Sequence, residues 1–213
     1  MAKLPDLQAS DLIKKAGIHT PKTVLAKTLP QAQTAAKKIG WPVVLKISSP
    51  DIVHKTEVGG IEKAGNEAEL SKAYSKILSN VKKKAPKAKI SGVLVQQLCS
   101  GWEMIAGAKQ DPQFGPVLAF GTGGVFVEIL KDVTFRIIPI SKEDAGQMIT
   151  EIKGYDLLRG VRGKKPANLK AVEDCLLKLS KLVWSRKKIK ELDINPLFVN
   201  EKGVMAADVR IIM

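Results

Sequence analysis

The chain has 213 residues, 45% of them hydrophobic, and a formal net charge of +14, with 35 Lys and Arg against 21 Asp and Glu. That apolar share supports a core without disulfide staples, and two cysteines and two histidines at these spacings exclude a zinc site. Aromatics at 5% are too few for base-stacking platforms, and the lysine clusters fall near predicted helix ends, which argues against a dedicated nucleic-acid role.

Taken in order, Asp6 is placed to cap a helix through Leu12 and Ile13 that Gly17 stops, and Thr23 to Ala26 reads as a short strand. Pro30 in a first turn and Gly40 past the end frame a second helix. Pro42 to Ile47 is then a buried, β-branched strand interrupted by Lys46. A lysine there either snorkels to solvent or meets an anion, and a nucleotide phosphate is the commonest anion of that kind. The following loop carries His54 and ends in Gly59-Gly60, a pair that permits close backbone approach to a ligand and that any tight turn also uses. Asn66 with Glu69 forms a capping box for a helix whose Leu70, Tyr74, Ile77, Leu78 and Val81 share one face.

Gly92 to Leu98 is the next strand, and Gly101-Trp102 separates it from Glu103 to Lys109. Val117 to Phe120, Val125 to Leu130 and Phe135 to Ile140 complete an antiparallel sheet with short connections. The Gly121 to Gly124 segment between the first two is either a hairpin turn or a loop over a ligand; a strand pattern comes after it, so neither the Rossmann nor the Walker fingerprint fits. Ser141 with Asp144 starts a helix ending at Gly154, and Asn168 starts another through Val172, Leu176, Leu179 and Val183. No apolar run reaches the roughly 18 to 20 residues that span a bilayer. With the polar start MAKLPDLQAS, this points to a cytoplasmic protein without a membrane role.

The two closing strands place chemistry most directly. Asp193 and Asn195 are two apart and share a strand face. If Asn200 pairs with Gly203 across the turn, counting back along both strands sets Asn195 opposite Asp208, with Asp193 diagonal to it. Three oxygen-bearing side chains on an apolar surface either bind Mg²⁺ or form a network satisfied by Lys46 or Arg210.

The segment His54-Lys55-x-x-Val58-Gly59-Gly60, together with GAKQDPQFGPV, FGTGGVFVEILKDV, RIIPI, GYDLLRGVRGKKP and ELDINPLF, closely resembles the ATP-grasp subunit of ADP-forming acyl-CoA synthetases. The resemblance spans nearly the whole chain. It implies an α/β, two-lobed ATP-grasp fold with a nucleotide cleft between lobes at residues 1–95 and 96–213. The reaction it implies is acyl-CoA + ADP + phosphate giving carboxylic acid, ATP and CoA, reversibly, through an acyl phosphate.

By the same resemblance, His54 relays a phosphoryl group to and from ADP, and Lys46 offsets phosphate charge. Gly59 and Gly60 let backbone amides approach, and Asp51 or another carboxylate orients the ring. Asp193, Asn195-Pro196 and Asp208 match the magnesium and phosphate end. Gln96, Gln97 and Leu98 face the adenine edge, with Gln97 standing where the family often has glutamate, and Glu103 matches the acidic residue near the ribose. The chain lacks a dinucleotide-type glycine fingerprint for CoA. A CoA-binding alpha subunit carrying the primary phosphohistidine is therefore expected, in an alpha2beta2 assembly. Arg159, Arg162, Lys164 and Lys165 either receive that partner's phosphorylated segment or are simply solvated. Another ATP-grasp carboxylate ligase, which has no need of His54, and a non-catalytic ATP- or polyanion-binding protein are the competing readings.

Overall fold

The computed structural model describes residues 2–124, 132–161, 163 and 165–213. Contacts divide the chain into two units, Pro21–Leu98 and a larger one made of Met1–Thr20 and Cys99–Met213. No helix among the described residues is long and apolar enough to cross a membrane.

The smaller unit contains β1 (Thr23–Ala26), α2 (Leu29–Ile39), β2 (Val43–Ser48), β3 (Ile61–Ala64), α3 (Glu67–Lys84) and β4 (Gly92–Gln97). Its four strands are antiparallel in the order β1-β4-β2-β3. The helices start where local chemistry dictates: Thr28 accepts the Gln31 amide ahead of α2, and Asn66 accepts the Glu69 amide at 2.9 Å ahead of α3. The Glu69 carboxylate returns to the Gly65 amide at 2.7 Å and to the Asn66 side chain at 2.8 Å. Leu70, Tyr74, Ile77 and Val81 of α3 pack on Val43, Leu45, Ile47, Val93 and Val95 of the sheet, forming one core.

The larger unit begins with α1 (Asp6–Lys15) and continues with β5 (Trp102–Asp111), β6 (Gly115–Thr122), β7 (Val133–Ile137), α4 (Lys142–Glu151), α5 (Tyr155–Leu158), α6 (Leu169–Ser185), β8 (Glu191–Asn200), β9 (Gly203–Ala206) and β10 (Val209–Ile212). Its sheet runs β10-β8-β5-β6-β7, with β9 also on β8. Helices α1, α4 and α6 bury Ile13, Met148, Ile149, Leu176 and Leu179 with Met104, Phe120, Leu192, Ile194 and Leu197, so one sheet face is the core.

Four features differ from the sequence reading. Residues 1–20 belong to the larger unit, because Ala9, Ile13 and Ile18 are buried in its core and Lys3 bridges Ile212 of β10. Asp6 does not cap α1: the cap is Pro5, without a side-chain bond, and Asp6 is the first helical residue, 3.7 Å from Lys3. Gly121 and Thr122 are strand residues paired with Ile105 and Met104, not part of a tight turn, and residues 123–132 separate β6 from β7. The closing segment makes three strands rather than two. The expected strand at Val125 to Leu130 lies outside the described residues.

Candidate active site

In the smaller unit, Val43, Leu45 and Ile47 of β2 face the helices, so the alternation turns Val44, Lys46 and Ser48 to the opposite face. Lys46 is only 7% exposed there, with Leu94 opposite it in register. Sequence reasoning left burial and snorkelling open; the structure buries it. A buried ammonium is tolerated only among anionic or carbonyl groups.

The His54 loop rises from the end of β2. His54 is exposed, whereas Ile52 is 4% and Lys55 8% exposed, so the imidazole projects from a loop anchored on both sides. Lys55 is a second buried lysine that the sequence reading did not place in the site; its place beside His54 in the quoted motif was the available signal. The glycines do something other than expected. The Gly59 amide donates to Thr56 O at 2.9 Å and the Gly60 amide to Lys55 O at 2.8 Å, so both are engaged inside the loop rather than offered to a phosphate.

Close approach is nevertheless why these two residues lack side chains. A Cβ on Gly59, whose φ is +63°, would lie 2.7 Å from Asn80 Nδ2, and one on Gly60 would lie 2.5 Å from Ile47 Cγ2. Asp51 does not orient the ring here: its Oδ2 accepts the Lys89 amide at 2.7 Å, and no hydrogen bond to His54 occurs among the described residues.

At the end of β4 the two glutamines part. Gln96 is buried and its Nε2 donates to Thr23 Oγ1 at 3.1 Å, which commits the side chain to β1. Gln97 is exposed, its amide donating to Lys22 O at 2.9 Å, and Leu98 is the first residue beyond the strand.

In the larger unit, Glu103, Asp193 and Asn195 share the sheet face opposite the helices. Burial along β5 falls on Met104, Ala106 and Ala108, which leaves Glu103 and Gly107 outward. Along β8 it falls on Leu192 and Ile194 and then on Leu197 and Val199. The parity changes because Met104 pairs with Leu197 but Ala106 with Ile194, so Asn195 and Pro196 together oppose Ile105. Such a bulge kinks the strand and re-aims its side chains.

The closing register is the expected one: Asn200 pairs with Gly203, Asp193 with Arg210, and the Asn195 amide donates to Asp208 O at 3.1 Å. Arg210 also contacts the carboxylates of Glu191 and Asp193, the latter at 3.9 Å. Both options left open by the sequence thus have a physical basis: Arg210 braces Asp193, while Asn195, exposed, and Asp208, half-buried, add hard oxygen donors. Two carboxylates and an amide oxygen fit Mg²⁺, which completes its shell with water and phosphate.

The glycine segment sits beside Glu103. The Gly123 amide donates to Glu103 O at 2.7 Å, and a Cβ on Gly124 would lie 3.5 Å from Glu103 Oε2. Thr122, within that segment, bonds to Asp132, a residue sequence reasoning passed over. Asp132 is 5% exposed; its carboxylate accepts the Lys153 and Gly154 amides at 2.6 and 2.8 Å, and its carbonyl accepts the Thr122 amide at 3.1 Å. Of the basic loop, Arg159 is exposed and 3.7 Å from Asp156, Lys165 is exposed, and Arg162 and Lys164 lie outside the described residues.

A family model described as an ATP-grasp domain matches residues 2–213. The chain is 43% identical over 212 residues to the beta subunit of ADP-forming acetate–CoA ligase I from Pyrococcus furiosus, covering 99% of this chain and 91% of that one. It is 48% identical over 198 residues to ADP-forming acetate–CoA ligase I of Archaeoglobus fulgidus, where the match covers 92% of this chain but spans only 29% of the relative. The Ca. Korarchaeum cryptofilum "dinucleotide forming Acetyl-coenzyme A synthetase 1", solved with coenzyme A and Ca-AMPCP, superposes with a TM-score of 0.96 at 43% identity, covering 100% of this chain and 93% of that one. The same protein with Mg-AMPPCP, described with its phosphohistidine segment pointing towards the nucleotide binding site, superposes at 0.84 with 39% identity over the same shares.

Proposed function

Because the chain belongs to the ATP-grasp domain family, on the branch of the beta subunits of ADP-forming acetate–CoA ligases, we propose that it is the nucleotide-binding subunit of an ADP-forming acyl-CoA synthetase. The reaction is acyl-CoA + ADP + phosphate giving carboxylic acid, ATP and CoA, in either direction. The chain spans only 29% of the Archaeoglobus fulgidus relative. The match to beta subunits over 91% and 90% of their length supports a CoA-binding alpha subunit as the partner, in an alpha2beta2 assembly and a cytoplasmic setting.

The observation that carries this reading is His54, an exposed imidazole on an anchored loop in a unit that also buries Lys46 and Lys55. A neutral imidazole attacks phosphorus without an elaborate activator. In the proposed relay a ring nitrogen of His54 bonds to phosphorus as the partner's phosphohistidine P–N bond breaks; an ADP oxygen then takes the phosphoryl group and His54 is regenerated. Lys46 offsets charge on the phosphates, and Asp193, Asn195 and Asp208 would hold Mg²⁺, which would neutralise phosphate oxygens when bound. Gln97 and Leu98 meet the adenine edge, and Glu103 the ribose. Gln96 supports them from β4 through its bond to Thr23 of β1, and Gly59 and Gly60 act by shaping the loop.

The test is incubation with Mg²⁺ and γ-labelled ATP, with and without the alpha subunit. Acid-labile, alkali-stable label on the wild type and none on His54→Ala is the expected result. Full-rate ATP formation by His54→Ala with the partner present would replace the relay by direct transfer. Intact MgATP binding without label under any condition would favour a different ATP-grasp carboxylate ligase.

A further inference from the structure

We propose that residues 80–89, the C-terminal end of α3 and the connection behind it, form a clamp that positions His54, with Asn80 as its principal positioning residue; this rests on the relay reading above. Three bonds cross from this stretch to the loop, on both sides of the imidazole. Upstream, Asp51 Oδ2 accepts the Lys89 amide at 2.7 Å. Downstream, Glu57 O accepts from Lys84 Nζ at 2.9 Å and Gly59 O accepts from Asn80 Nδ2 at 3.1 Å. Inside the loop, the Gly59 and Gly60 amides close short turns onto Thr56 and Lys55, and Gly60 O accepts the Ile47 amide at 2.8 Å. His54 is thereby carried on a small frame, and these three attachments lead from it to one stretch of chain.

The three attachments are unequal. Lys84 bonds in an exposed position, where water competes for both groups, while the Asn80 bond is partly buried. Asn80 is also the rigid one. Its neighbours Ile77 and Val81 are fully buried at 0% exposure, so its backbone cannot shift without disturbing the core of the smaller unit. Gly59 is shaped to receive it, since any Cβ there would meet the amide nitrogen at 2.7 Å. A phosphoryl acceptor has to hold its nitrogen near the reacting phosphorus, and a displacement of about 1 Å costs on the order of 100-fold in rate. None of the three donors touches His54, so each acts through the loop, two on its backbone and one on the Asp51 side chain.

Asn80→Asp keeps the size of the side chain but removes the donor, and Asn80→Ala removes both. With wild-type chain and alpha subunit as reference, both variants should label His54 from γ-labelled MgATP on the order of 10- to 100-fold more slowly, with the KM for MgATP unchanged. Lys84→Met should slow labelling far less. A merely structural role for Asn80 would lower thermal stability and weaken MgATP binding together, and that outcome overturns the proposal. So does wild-type labelling by Asn80→Asp. If wild type itself takes no label, the relay fails, and amide exchange of Gly59 and Gly60 reads the clamp separately: Asn80→Asp should accelerate both, and unchanged exchange refutes the clamp.

Discussion

Asp132 offers the sharpest test of how the larger unit holds the connection between α4 and α5. Its buried carboxylate is shared between two backbone donors, the amides of Lys153 and Gly154, just where the chain leaves α4 for α5. Each hydrogen bond to an ionised group contributes about 1.5 to 3 kcal/mol, so Asp132→Ala, which orphans both amides, should destabilise the unit by about 3 to 6 kcal/mol. Asp132→Asn retains one acceptor but turns an NH₂ toward the other amide, and about half that loss is expected.

There is little slack for compensation, because a Cβ on Gly154 would fall 2.1 Å from Thr122 Cγ2, leaving the α5 start no room to sink toward β6. Urea unfolding monitored by far-ultraviolet circular dichroism measures the change. A loss below about 1 kcal/mol for Asp132→Ala, the level of an ordinary solvated hydrogen bond, would refute the reasoning.

Other consequences are equally direct. Ser141→Ala breaks the box in which the Ser141 hydroxyl and the Asp144 carboxylate each serve the other's backbone, and should cost about 1 kcal/mol at neutral pH by thermal unfolding. The Ser141 amide, then its hydroxyl, hold the Asp144 carboxyl below the ordinary aspartate value. A depressed folded pKa gives stability that is complete above the unfolded pKa, about 3.9, and is lost as pH falls through the folded one. The gap between wild type and variant should therefore narrow below about pH 4; a gap that widens on acidification contradicts this assignment. Burial pushes the Cys175 thiol up to about 12, so a thiol reagent at pH 8 should titrate Cys99 alone in the native protein and both cysteines after unfolding; equal native reactivity would show Cys175 to be open. Asp208→Ala should weaken calorimetric binding of ATP in the presence of Mg²⁺ and leave metal-free binding nearly unchanged, whereas an equal loss in both would remove Asp208 from the metal site.

The features legible in the sequence were those that residues a few positions apart decide. The caps at Asn66, Ser141 and Asn168 are written in hydrogen bonds that span three residues, and all three form. The closing register was legible for the same reason, since a short turn fixes it and the count then runs back unaided to Asn195 and Asp208. The bulge that faces Asn195 and Pro196 against Ile105 was not, because it is a property of the pairing between β5 and β8, which are far apart in the chain. Nor was the commitment of Gln96 to Thr23, 73 positions earlier. The sequence offered Gly59-Gly60 for backbone approach to a ligand, and could not reveal that Asn80 and Ile47 occupy the space a side chain there would need. The placement of α1 failed because an amphipathic helix reveals which of its faces is apolar but not which core receives it.

The closing register turns the surface turn at Glu201-Lys202 into a ruler for the site. Between Asn200 and Gly203 the count is set, and the pairing carries it through β9 and on to Arg210 opposite Asp193. Insertions at the tip, outside the paired positions, leave that alignment as it is. A single residue inserted between Gly203 and Ala206 would reverse the facing of β10, sending Val209 and Ile211 out of the core and Arg210 into it. Variation in this chain's relatives should therefore tolerate length changes at the turn and reject them within β9, even though no residue of β9 belongs to the site.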